Sequence, residues 1–162
     1  MDEQQIITRA RELTEEFLAQ LGLDAEISIQ FSETDSKEGV EIRYLSVKLD
    51  GEHLAELIGF HGKVFDSVQT ILGLMLSRQL AEPNVRTLIE INDYRQKREE
   101  YLKRYAERAA EEVRLTGQPM ELPPMKPFER RIIHMVLKND GEVGTESEGE
   151  GDDRRIKIVP KM

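Results

Sequence analysis

The sequence predicts an α+β protein of two small domains in series, with a boundary at residue 92, and three observations predict it. First, apolar residues recur at helical spacing in four stretches and alternate with polar residues in the shorter stretches between them, the two periods that mark helices packed on sheets. Second, 162 residues suffice for two small domains, and their charge divides unevenly. Residues 1–92 hold 8 Lys and Arg against 17 Asp and Glu, a formal −9, whereas residues 93–162 hold 15 against 15. Third, a strand-like run over 86–91 is followed at once by Asn92-Asp93 and a long helical pattern, where one fold can end and another begin.

Residues 3–21 place Ile6, Ile7, Ala10, Leu13, Phe17, Leu18 and Leu21 on one side of a helix, and Gly22 stops it. Ala25, Ile27, Ile29 and Phe31 then alternate with polar residues, as do Val40, Ile42 and Tyr44, followed by Leu45, Val47 and Leu49. This predicts two paired strands with residues 34–39 as their polar connection. A helical turn over 54–58 and a glycine loop lead to a helix over 63–80, expected to bury Val64, Phe65, Val68, Ile71, Leu72, Met75 and Leu76. Pro83-Asn84 breaks the chain before the third strand.

In the second half, Asn92 and Asp93 are the expected caps of a helix over 94–115 striped with Leu102, Tyr105, Ala109 and Val113 and stopped by Thr116-Gly117. An extended piece at 119–122 and Pro123-Pro124 precede a helix opened by Pro127 and closed by Asn139-Asp140-Gly141. Phe128, Ile132, Ile133, Val136 and Leu137 are its expected core residues. Strands over 143–147 and 154–159 flank a polar turn as a hairpin.

Chemistry concentrates at two places. Gly59-Phe60-His61-Gly62-Lys63 lies between the helical turn and the apolar helix. Two residues without Cβ let backbone press against a sugar-phosphate, the following helix aims N–H groups at the same anion, and Lys63 adds the nearest fixed charge. Phe60 reads either as an exposed aromatic that stacks on a base or as packed on Phe65; His61 either contacts RNA or is solvated. In this order of elements the loop resembles that of a type II KH domain, in which Gly-x-x-Gly clamps about four nucleotides of single strand.

The second place is a cationic row. Arg130 and His134 are four apart, so they project from one helix face, and Lys126 and Lys138 extend the row a turn each way with Arg131 at its shoulder. Arg suits bidentate contact with phosphate, and a surface His can stack on a base. The plain alternative is a solvated helix face. Arg95, Lys97, Arg98, Lys103, Arg104 and Arg108 on the preceding helix are expected mostly to pair with Glu99, Glu100, Glu107 and Glu111 one turn away.

From Asn92-Asp93-Tyr94-Arg95 through Arg114-Leu115-Thr116-Gly117, then 124–134 and Thr145-Glu146-Ser147-Glu148-Gly149-Glu150, the chain resembles the Jag family, also called KhpB or SpoIIIJ-associated. The resemblance spans roughly residues 20–160 and implies a KH domain over 1–92 joined to an Arg-x-x-x-His (R-three-H) domain over 93–162. It also implies a cytoplasmic single-stranded RNA-binding protein, an RNA chaperone or post-transcriptional regulator linked to cell-wall homeostasis, cell shape or sporulation. A small KH-domain protein or a second copy of the chain is the implied partner. Many relatives carry basic residues where this chain has Phe60-His61, and many carry an extra N-terminal domain where this one has a helix.

Other classes find little support. The chain has no Cys, no nucleophile–base pair, no phosphate-binding P-loop and no calcium-loop spacing in the acidic stretch 146–153, so neither an enzyme nor a cofactor or metal is expected. No apolar run approaches the ~20 residues of a membrane span. The rivals that remain are a protein-interaction scaffold, in which the acidic first half mediates dimerisation and only the second domain binds nucleic acid, a metal-dependent nuclease using the acidic hairpin, and single-stranded DNA as ligand.

Overall fold

The computed structural model describes residues 1–162, the side chain of Lys37 excepted. The chain divides into two compact units, Met1–Tyr94 and Arg95–Met162, and each combines helices with a three-stranded sheet.

In the first unit, helix α1 (Glu3–Gln20) starts with a capping box. Asp2 accepts from the Gln5 backbone N–H at 2.8 Å and the Gln5 side chain accepts from the Asp2 N–H at 2.9 Å, which satisfies amides that a helix start leaves unpaired. It ends in a Schellman arrangement: with Gly22 at φ +69, its N–H bonds Ala19 O and the Leu23 N–H bonds Leu18 O, both at 3.0 Å.

Strands β1 (Glu26–Lys37) and β2 (Val40–Asp50) pair antiparallel, and β3 (Val85–Ile91) adds parallel to β2. The ladder runs on through Thr34, Asp35 and Ser36, so the connection expected over 34–39 shrinks to Glu38 and Gly39. Both have positive φ, 51 and 80, as two-residue hairpin turns require. The polar half of β1 carries no apolar alternation, and only its pairing, resumed after a register shift between Phe31 and Thr34, makes it a strand.

Helix α2 (Lys63–Leu80) crosses between β2 and β3 and packs with α1 in a core that includes Ile6, Leu45, Leu49, Leu72, Leu76 and Ile89, all fully buried. Phe65, Val68, Leu72 and Leu76 point inward, but Val64 and Ile71 are 40% and 58% exposed. The apolar pattern of α2 is therefore wider than the face one sheet can cover. Asn92 and Asp93, expected as helix caps, bond to the end of β2 and the residue after it. The Asn92 side chain exchanges two bonds of 2.9 Å with the Gly51 backbone, and Asp93 lies 3.0 Å from Lys48 Nζ. Both sit in the left-handed region, which Asn and Asp tolerate better than most residues.

In the second unit, helix α3 (Tyr94–Thr116, its first residue still in the first unit) ends at Gly117, whose φ is +66. Strands β4 (Met120–Glu121), β5 (Val143–Glu148) and β6 (Arg155–Pro160) make an antiparallel sheet in the order β4-β6-β5, and helix α4 (Pro127–Leu137) packs on β5 and β6. The core joins Leu102, Ala106, Ala110 and Val113 of α3 to Ile133, Leu137, Ile156 and Ile158. Phe128, expected in that core, is 51% exposed. Glu129 takes the inward position: it is 1% exposed and accepts from Arg98 Nε at 2.8 Å. Arg98 thus pairs 31 residues away rather than with a glutamate one turn along its own helix.

Asp140 closes α4. One carboxylate oxygen accepts from the Glu142 and Val143 N–H groups at 2.8 and 3.0 Å, and the other accepts from Arg114, which also lies 3.1 Å from Glu142. The Glu142 N–H first, and Arg114 next, hold its carboxyl below the usual range.

Candidate nucleic-acid interface

The glycine loop follows a helical turn at Ala55–Leu57. Gly59 (φ +69) and Gly62 (φ +75) occupy backbone regions that side chains disfavour, and His61 joins them at φ 53. Both glycines are also close-packed. A Cβ on Gly59 would lie 2.4 Å from Val64 Cγ2, and one on Gly62 would lie 2.8 Å from the Tyr94 ring. The glycines therefore serve the fold of this unit as well as any ligand.

Between them Phe60 is 74% exposed, and its ring stacks on His61 with centroids 3.8 Å apart and planes 20° apart. That settles the position of Phe60, which does not pack down on Phe65. The helix start offers less than expected: the Lys63 N–H bonds Phe60 O, and the Phe65 N–H bonds Ile58 O at 3.0 Å. Two amides predicted to face an anion are thus used within the loop. What the loop presents is an aromatic pair and the exposed Lys63.

On α4 the side chains of the cationic row are anchored. Arg130 Nη1 donates to Met125 O at 2.6 Å, and His134 Nδ1 lies 2.5 Å from Thr145 Oγ1 on β5. Both residues are half-buried. Burial, and then the Arg130 charge, hold the His134 imidazole below its ordinary value of 6.5, so near neutral pH the ring is uncharged. The fixed charge of the row comes from Lys126, Arg130 and Lys138, with exposed Arg131 to one side. Local spacing places Arg130 and His134 together, but Thr145 and the Met125 carbonyl, which orient them, carry no such signal.

Arg155 pairs with Glu121 at 3.1 Å, Lys157 with Glu148 at 3.6 Å, and Arg154 donates to Gly149 O, so Arg154 and Lys157 brace the hairpin while Arg155 ties β6 to β4. Among the described residues, no three His, Asp or Glu side chains cluster closely enough to hold a metal ion, and no helix is long and apolar enough to cross a membrane.

The family model of the R-three-H domain, named for its Arg-x-x-x-His signature, matches residues 100–160, which include α4 and all three strands of its sheet. The chain is 32% identical over 153 residues to the RNA-binding protein KhpB of Clostridium symbiosum, covering 94% of this chain and 65% of that protein. It is 32% identical over 155 residues to KhpB of Lactiplantibacillus plantarum, covering 94% and 45%, and 34% identical over 115 residues to KhpB of Bacillus subtilis, covering 70% and 55%. The chain thus spans between about half and two thirds of the length of these relatives. With relatives matching both the glycine-loop unit and the α4 unit, and an R-three-H domain in the latter, the chain belongs to the Jag/KhpB family.

Proposed function

We propose that this protein binds single-stranded RNA at two sites: the glycine loop, read as that of a type II KH domain over residues 1–92, and the Arg130/His134 face of the R-three-H domain, within residues 93–162. The observation that carries the reading is the alignment of proteins named RNA-binding protein KhpB over 94% of the chain, through both candidate sites. Two contacts on one strand raise affinity through effective concentration, so neither needs to be strong alone. In the loop, Gly59 and Gly62 set the backbone, Phe60 and His61 stack on bases and Lys63 contacts phosphate. On α4, Arg130, Lys126, Arg131 and Lys138 contact phosphate while neutral His134 stacks or donates a hydrogen bond. The protein acts as an RNA chaperone or post-transcriptional regulator in the cytoplasm, linked to cell-wall homeostasis, cell shape or sporulation, and without enzymatic activity or cofactor.

A second reading has its own support. The −9 charge of residues 1–92 opposes RNA, and α2 exposes Val64, Ile71 and Leu74, the kind of surface that takes a small KH-domain protein or a second copy. Equilibrium binding of a labelled single-stranded RNA pool to the wild type, Phe60→Asp/His61→Asp and Arg130→Ala/His134→Ala separates the two. Loss of affinity in both variants, each still folded by circular dichroism, supports the two-site reading. Wild-type affinity in the loop variant assigns the first unit to protein contact.

A further inference from the structure

Helix α4 has a second flank, which shares only Arg131 with the Arg130/His134 site. Phe128, Arg131, Ile132, Met135 and Val136 recur at i, i+3, i+4, i+7 and i+8, and with Glu99 and Lys103 of α3 they line a groove of about 400 Å³. Ile132 and Val136 form its floor, partly buried against the core. Phe128 and Met135 stand 51% and 60% exposed at its lip. Arg131 has no hydrogen bond or ion pair among the described residues, in contrast to Arg130, which is tied to Met125 O.

The geometry points to a nucleotide subsite here. An unstacked base lies in the groove against Phe128 and Met135, and its phosphate meets Arg131. This rests on the RNA-binding reading and adds to it a contact surface outside the Arg-x-x-x-His row. Three observations choose a nucleotide over a protein. The groove has the volume of a small-molecule site. Its apolar stripe is only about 12 Å long at the helical rise and, at a helix width of about 10 Å, covers on the order of 100 Å², far short of the ~800 Å² per partner of a stable protein interface. Its one unpaired cation stands a single turn from its one aromatic ring, the spacing that serves a base and its phosphate together.

The rim also selects. Glu99 is bonded to Lys103 at 2.8 Å, yet a carboxylate retains further acceptor sites. An exocyclic amino group of adenine, cytosine or guanine can donate to it, whereas uracil has only its N3–H, flanked on both sides by carbonyl oxygens that the carboxylate repels. The subsite therefore takes an unpaired base that carries an amine.

The test uses the full chain, labelled oligoadenylate and oligouridylate, and NMR of methyl-labelled methionines with the Met135 signal assigned through Met135→Leu. Expected are a ring-current shift of the Met135 methyl on adding oligoadenylate, affinity about tenfold weaker in Phe128→Ala and restored in Phe128→Tyr, and a salt slope reduced by about 0.7 in Arg131→Gln. Oligouridylate binds more weakly, and Glu99→Gln alters the preference. RNA binding that leaves Met135 unmoved and is indifferent to Phe128→Ala overturns the subsite while sparing the functional reading; no RNA binding by the wild type overturns both. If Phe128→Ala abolishes self-association with RNA affinity unchanged, the groove is a protein contact and the subsite is wrong.

Discussion

At the glycine loop the backbone is held in disfavoured conformations and the side chains stand in solvent, whereas on α4 the backbone is ordinary helix and the side chains are tied down. Gly59, His61 and Gly62 have positive φ while Phe60 is 74% exposed. Arg130 and His134 sit on a regular helix but are hydrogen-bonded to Met125 O and Thr145. The difference teaches where each site is vulnerable. On the proposed reading, backbone substitutions in the loop damage the fold and side-chain substitutions damage only binding. On α4 the same reading has side-chain substitutions disturb orientation and binding together.

The largest effect sharpens the α4 side of this contrast. Glu129 holds Arg98 across the interior, 2% and 13% exposed at the side chain, so Glu129→Ala leaves a buried guanidinium without its partner. The expected cost is roughly 3–5 kcal/mol in denaturant unfolding of the full chain. A loss under about 1 kcal/mol would mean that Arg98 reaches water and that the helix is not anchored as described.

Next comes the loop backbone. Gly62→Ala combines a positive φ with a 2.8 Å approach to the Tyr94 ring and should cost roughly 1–3 kcal/mol. Gly117→Ala has a similar φ of +66 but open space around its Cβ, and about 1 kcal/mol is expected. Phe60→Ala should change stability by no more than about 0.5 kcal/mol. Equal losses in Gly62→Ala and Gly117→Ala would remove close packing from the account of the loop.

The smallest effect is a pH dependence of the second unit. Burial and Arg130 lower the folded-state value of His134 below 6.5, so the unfolded chain binds the extra proton more readily. Its contribution to stability is fully present above pH 6.5 and is lost as pH falls through 6.5 toward the folded value. His134→Gln should flatten the unfolding midpoint over that window relative to wild type. An unchanged pH profile would show that the ring is more solvated than its bond to Thr145 suggests.

Much of this molecule is legible in its sequence, for identifiable reasons. The four helices follow from apolar period and from boundary residues such as Gly22, Gly117 and Pro127, because those signals are local. The glycine loop and the Arg130/His134 spacing are local too. What escapes is set by tertiary partners: the polar end of β1 is a strand only because β2 pairs with it. Glu129 reads as a surface charge until Arg98 lies against it, and Phe128 and Ile71 read as core until the packed faces prove narrower than the apolar pattern. Asn92 and Asp93 read as caps because no local rule links them to Gly51 and Lys48.

The central claim is that the loop engages RNA by stacking and α4 engages it by charge, and the salt dependence of affinity tests it most directly. RNA affinity would be measured over a range of salt for the wild type, Phe60→Ala/His61→Ala and Arg130→Gln/Lys138→Gln. The account predicts that the loop variant loses about tenfold in affinity with the slope of log affinity against log salt unchanged. It predicts that the α4 variant loses affinity and that its slope falls by about 1.4, roughly 0.7 for each cation removed from a single-strand complex. A loop variant that binds like wild type, or an α4 variant that keeps the wild-type slope, would contradict it.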